Sequence, residues 1–361
     1  MGDAMSKLMV KLGVMVVGLA VASFNACADS NEGGNQHNNQ CNHGKSKNHS
    51  CKSDGGEGGS RVGAFDAFEA GGALNGPILT HLAGQPFQLD VVAVNAGAVD
   101  TGKNQNITVG LVDANAPGFS CATATPIAGS VQSAALDHGK RRFPFTVANA
   151  YQNLQVQVKV SSGEGSQAST VICPVAQFSV RPLSFAVSSN ANADLKYGAS
   201  ATATPTVTVG ANFALSANAF GVNAAGVPVP VTGYDGTPMI DPAKLVRSNA
   251  AAGTLTGDFA AASAGVASGT FTYSEVGYFR ILAQGVYDDS FTSVDQGTTD
   301  ANSDCVIGSF SNTPNDDPLG KGRVGCNFGN AAATDYFGRF VQDANAYKGS
   351  DTYIYRGRRG R

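Results

Sequence analysis

The sequence predicts an all-β protein, with two immunoglobulin-like antiparallel β-sandwich domains following a signal peptide and a disordered linker. Apolar residues alternate with polar ones at a period of two, the mark of a strand with one buried face. Gly, Asn, Asp and Pro punctuate these runs every few residues, and no stretch carries the 3.6-residue period of an amphipathic helix. Cysteines recur in locally spaced couples, as in exported folds that are held by disulfides.

The chain opens on an export signal. Lys7 and Lys11 precede the apolar run Leu12 to Ala22, and Ala26-Cys27-Ala28 supplies a small-x-small cleavage site, so residues 1–28 read as a signal peptide. A run this short does not cross roughly 30 Å of hydrocarbon as a helix. Lipidation at Cys27 is the alternative processing, against which Phe24 and Asn25 stand where an aliphatic and a small residue are preferred. Either route exports the protein to the periplasm, the outer surface or the medium.

Residues 29–60 contain no Val, Leu, Ile, Phe, Tyr or Met and are dominated by Asn, Gly, Ser, Lys and His, the composition of a disordered linker. Within it, His37, Cys41, His43, His49 and Cys51 are ligand-type side chains. Their spacing differs from that of known zinc sites and no core backs them, so a solvated tether with a small Cys41 to Cys51 loop competes with Zn or Cu binding.

From Arg61 the composition changes. Residues 61–182 hold the alternating runs 87–95, 107–113, 142–147, 154–160 and 177–182. In the clearest, Leu154, Val156, Val158 and Val160 share one face with Gln155, Gln157 and Lys159 on the other. Pro182 cannot continue a ladder, and a second domain over 183–341 begins beyond it. There Val207, Val209, Phe213 and Leu215 flank the Gly210-Ala211 turn, and residues 269–289 give the strongest strand pair. Tyr278 stands at the start of a late strand, where immunoglobulin-like sandwiches place a corner-pinning tyrosine. Residues 342–361 form a basic tail containing Arg356, Arg358, Arg359 and Arg361, expected to be disordered.

Three cystines are expected by locality among the fifteen pairings that six cysteines allow: Cys41 with Cys51, Cys121 with Cys173, and Cys305 with Cys326. Loops of the second and third sizes each stabilise by about 3 to 4 kcal/mol in the chain-entropy model. The formal charge of −3 excludes a basic field for nucleic acid. Asp300, Asn302 and Asp304 have the first spacings of a calcium loop, but Cys305 replaces the required Gly and Ser311 the closing Glu, which favours an acidic loop without metal. No nucleophile elbow or zinc-protease motif occurs. His81 and His138 read as turn residues, and Asp288-Asp289 as a solvated turn. No catalytic residue is assigned.

Six ordered stretches, among them "LAGQPFQLDVVAVNAG", "ICPVAQFSVRPLSFAV", "FTYSEVGYFRILAQGVYDDSF" and "GCNFGNAAATDYFGRF", closely resemble a domain of MshQ-like proteins over about residues 62 to 341. That family is associated with biogenesis of the mannose-sensitive haemagglutinin, a type IV pilus. The resemblance implies a surface-associated accessory with pilus or envelope assembly proteins as partners, and no catalytic residue. The chain departs from the family after "YFGRF", where "VQDANAYKGSDTYIYRGRRGR" replaces the longer continuation. The rival class is a carbohydrate- or surface-binding module with surface glycans as partners, against which Trp is absent and the tyrosines are dispersed in sequence.

Overall fold

Alternation along Pro86–Asn95 points Phe87, Leu89, Val91 and Ala93 to one side, and this strand is the centre of the first sheet. Ala64–Glu69 and Lys140–Thr146 pair antiparallel on its two sides, and the short Ala98–Val99 extends it. The computed structural model describes residues 64–161, 169–189, 207–247 and 253–342. Facing the first sheet is a six-stranded one, ordered His81–Leu82, Gln177–Arg181, Tyr151–Ser161, Asn106–Asp113 and Gln132–Ala135, with Ser169–Ile172 also on Tyr151–Ser161. Phe87 meets Phe178 edge to face across the two layers at 5.9 Å. The predicted strands 87–95, 107–113, 142–147, 154–160 and 177–182 all lie in these two sheets.

From Ser184 the pairing starts again. Ser184–Ser188, Phe213–Val222, Val266–Tyr273 and Leu255–Phe259 form one layer in that order, with Pro228–Pro230 beside Phe213–Val222. Val207–Thr208, Phe337–Val341, Gly277–Ile281 and Leu245–Arg247 form the opposite layer. Aromatic rings fill the space between: Phe213 lies 5.3 Å from Phe340, and Tyr273 lies 4.8 Å from Phe279.

Both halves open alike. The first strand pairs antiparallel with the next long one, and a two-residue strand then crosses to the other layer and runs parallel to the last strand of its half. That split first strand, with the remaining order in each layer, is the immunoglobulin-like arrangement. The strands on either side of Ser274 to Val276 are neighbours in sequence but belong to opposite layers, so residues 269–289 do not form a hairpin.

Between Gly277–Ile281 and Phe337–Val341 the second sandwich carries an insertion, residues 282–336. Its regular structure is the three-stranded sheet Met239–Ile240, Val286–Asp288 and Phe328–Gly329, whose first strand comes from outside the insertion, and two 3-10 turns. Phe291 and Phe328 attach it to Phe185 and Tyr234 of the second sandwich. No helix among the described residues is long and apolar enough to cross a membrane.

The halves touch where the turn at Gly84 meets the end of Phe213–Val222. The Val222 amide donates to Ala83 O at 3.1 Å, and Gly84 adopts φ +85°. A Cβ at Gly84 would sit inside the contact radius of the Val222 carbonyl oxygen, whereas Gly97, at φ +80°, has open space around it. Gly84→Ala is therefore expected to cost more than about 2 kcal/mol in urea unfolding, through strain plus a pushed-apart contact. Gly97→Ala should cost about 1 kcal/mol, the backbone strain alone. Equal losses at the two positions would mean that the close approach does not matter.

Candidate functional site

Arg181 is the last residue of the first sandwich's closing strand, and its guanidinium is fully buried. No carboxylate among the described residues neutralises it. Its Nε donates to Gly325 O at 2.8 Å, Nη2 to Ser311 O at 2.9 Å, and Nη1 to Pro182 O at 2.7 Å and Asn312 Oδ1 at 2.9 Å. Three of these acceptors lie in the insertion. Burial lowers the Arg181 value to about 9. Asn312 Nδ2 in turn donates to Leu183 O at 3.2 Å, just past the crossing between halves.

A second buried contact lies beside it. Asp295 Oδ2 accepts from Thr80 Oγ1 at 2.5 Å and from the Ser179 amide at 2.9 Å, and the Thr80 amide donates to Asp304 O at 3.2 Å. Burial raises Asp295 to about 7, against these hydrogen bonds and with added repulsion from Asp304. Its Oδ1 has no partner among the described residues. Thr80 and Ser179 belong to the first sandwich and Asp295 to the insertion, so this carboxyl bridges the halves.

The predicted calcium residues do not converge on a cation. Asp300 pairs with Arg323 at 3.1 Å, whose hydrogen bonds hold its carboxyl below the usual range. Asn302 Oδ1 accepts from the Thr299 amide at 2.9 Å, and the Asp304 backbone is engaged at the joint. Arg323, fully buried, also pairs with Asp317 at 2.7 Å, so a guanidinium occupies the centre of this acidic loop. No group of three His, Cys, Asp or Glu able to hold a metal is found among the described residues. His37, Cys41, His43, His49 and Cys51 lie outside them.

Two expectations are corrected. Asp288 is not a solvated turn: it is 1% exposed and accepts from the Tyr234 hydroxyl at 2.7 Å, the Ser290 and Phe291 amides, and the Ser290 hydroxyl. The dipeptide hid this because its aromatic donor lies 54 residues away. His81 is half-buried, with its ring stacked on Phe87 at 3.8 Å and Nε2 3.3 Å from Glu69. His138 is exposed beside Asp137, at φ 48° in a turn.

Tyr278 opens the strand Gly277–Ile281, as expected, and its ring meets Tyr336 edge to face at 4.9 Å. Arg280, two residues on and on the same face, places its guanidinium over the Tyr336 ring at 5.1 Å. Phe279 and Ile281 point the other way, into the core, so the tyrosines and the arginine lie on the outer face of the layer. Opposite Tyr278 the pairing bulges: Gly277 faces Phe340 and Phe279 faces Phe337. Gly338 takes φ +98° there. The alternation Tyr278, Arg280 was legible in the sequence, but its convergence with Tyr336 was not.

Cys121 is joined to Cys173, and Cys305 to Cys326. The first cystine ties a loop of the first sandwich to its late edge, and the second closes the insertion. Such bonds persist in oxidising compartments outside the cytosol. Strand order and cross-links together define an exported, disulfide-bonded immunoglobulin-like β-sandwich protein.

No family model matches the chain, and no curated protein sequence does. Among solved structures, it is similar to the Escherichia coli adhesin FdeC at 14% identity and a TM-score of 0.27, over 62% of this chain and 59% of the adhesin. A marsupial T cell receptor chain is similar at 13% identity and 0.26, over 62% of this chain and 91% of its own. Domains 5-6 of the S-layer protein SbsC are similar at 13% and 0.17, over 56% and 85%. The chain thus spans about six-tenths of the adhesin's length. The fold assignment rests on strand pairing.

The joint carries a pH signature. Because folding raises Asp295 to about 7 from an ordinary value of 3.8, the native state takes up a proton that the unfolded chain releases. This contribution is fully present below pH 4, declines as pH rises to about 7, and is flat above, a change of at most about 4 kcal/mol. Asp295→Asn, a neutral isostere, should flatten that part of the curve in urea titrations at successive pH values. An unchanged slope in the variant would place the titration elsewhere.

Proposed function

We propose that the chain is an exported, non-catalytic structural and adhesion-type accessory of the cell envelope, working with a type IV pilus of the mannose-sensitive haemagglutinin kind. The observation that carries the reading is the joint, where Arg181 and Asp295 lock two cross-linked sandwiches together through buried polar bonds. Polar groups buried in a joint are costly unless their partners stay in place, so the halves hold a fixed relation and resist separation. That suits a part that bears load and presents surface. The ordered stretches shared with MshQ-like proteins supply the pilus context, and the export signal supplies the route.

A second reading, a carbohydrate-binding module of a secreted assembly, is favoured by one feature: Tyr278, Tyr336 and Arg280 meet on an outer sheet face.

Deleting the gene is expected to reduce surface pili, with the protein recovered from the envelope or medium rather than the cytosol. Intact mass before and after reduction should show Cys121, Cys173, Cys305 and Cys326 oxidised in the recovered protein. Normal piliation together with free thiols at these four positions would reject the reading.

A further inference from the structure

We propose that Tyr278, Arg280 and Tyr336 form a binding site for a carboxylated saccharide, the uronic-acid or sialic-acid residue of a surface glycan. The inference rests on the surface-recognition reading and names the ligand class it would take.

The arginine is the first reason. Most other described arginines spend their donors internally: Arg142 on Asp90, Arg181 on carbonyls of the joint, Arg247 on Gly253 O, and Arg323 on Asp300 and Asp317. Arg280 is half-buried as a residue, its guanidinium makes no hydrogen bond or ion pair among the described residues, and its Nε–H is shielded without an acceptor. Glu275, the acidic residue closest to it in sequence, and Asp335, the neighbour of Tyr336, do not pair with it. A planar, permanently charged fork held in place by an aromatic ring suits bidentate capture of a carboxylate.

The rings are the second reason. Two tyrosines 58 positions apart meet at 4.9 Å and nearly perpendicular, so they present an edge and a face side by side. Sugar rings pack their C–H faces on such surfaces while hydroxyls reach phenolic oxygens, an apolar platform with a few convergent polar groups. A peptide carboxylate could use Arg280 but has no comparable rigid C–H face for the tyrosines.

The backbone is the third reason. Bulges are over-represented beside functional sites, where they re-aim a side chain, and here the strand opposite Tyr278 bulges at Gly338. Phe279, Phe337 and Phe340 pack beneath the same strands, so the outer residues sit on a rigid base.

The test is calorimetric titration of the full-length protein with sialyllactose, oligogalacturonate, neutral lactose and a glutamate-rich peptide. At least one acidic sugar should bind, with lactose and the peptide weaker by about tenfold or more. Arg280→Gln should abolish the acidic preference, Tyr336→Ala should weaken binding by about tenfold, and Arg141→Gln, on the first sandwich, should change nothing. If Tyr336→Ala fails to fold, the surface substitution Arg280→Gln decides. The proposal is overturned if neither acidic sugar binds, if the peptide binds better than both, or if Arg280→Gln with a native melting curve binds like the parent. Free thiols together with normal piliation would sink the envelope reading without moving these titrations, so the two failures are distinguishable.

Discussion

A guanidinium enclosed by protein without a carboxylate is tolerated only if acceptors ring it, because stranding a buried charge costs several kcal/mol. Arg181 meets that condition with three carbonyls and one amide oxygen, and its guanidinium also lies 5.9 Å from the Phe328 ring. Three of the four acceptors come from the loop around Ser311 and from Gly325, so the charge is fully satisfied only when the insertion is folded and seated. The insertion in turn is seated only when the first sandwich has placed its closing strand. Neither half can therefore complete its hydrogen bonding alone, and this mutual dependence sets the geometry of the whole described region.

The insertion needs such support because it has little apolar interior of its own. Apart from Val286, Phe291, Val324 and Phe328, its order comes from the Cys305–Cys326 bond and from Arg323, which draws Asp300, Asp317 and the carbonyls of Asp300, Ser303 and Cys305 around one charge. Small units that cannot bury enough surface are stabilised in this way, by covalent and polar staples. The acidic loop that resembles a calcium site in sequence is thus built around an internal cation supplied from 23 residues downstream.

How much of this was legible follows from what a period of two can say. It identifies a strand and its buried face, which is why Tyr151–Ser161 and Pro86–Asn95 were readable residue by residue. It does not say which layer a strand joins: Val266–Tyr273 and Gly277–Ile281 alternate equally well, yet they are in opposite layers. Cysteine spacing within each half was enough to suggest both described cystines. The joint was illegible because its residues are polar and distant in sequence; Thr80 and Asp295 are 215 positions apart. Asp288 looked solvated for the same reason, and Tyr336 gave no sign that it would meet Tyr278.

Two buried carboxylates show how local supply of positive charge decides the outcome. Asp90 lies on the first sheet with its side chain fully enclosed. Burial alone would raise its value, but bonds from Arg142, the Gly71 amide and Lys140 hold it well below the carboxylate range. Asp295 is also buried, yet its hydrogen bonds come from the neutral donors of Thr80 and Ser179, and its value rises to about 7. The first carboxyl stays charged and pins a sheet with cations half exposed to solvent. The second sits between the halves, where no cation pairs with it among the described residues, so near neutrality it can hold a proton that a paired carboxylate would lose. Placing the weaker acid at the joint gives the contact between sandwiches a charge that changes as the pH rises through about 7.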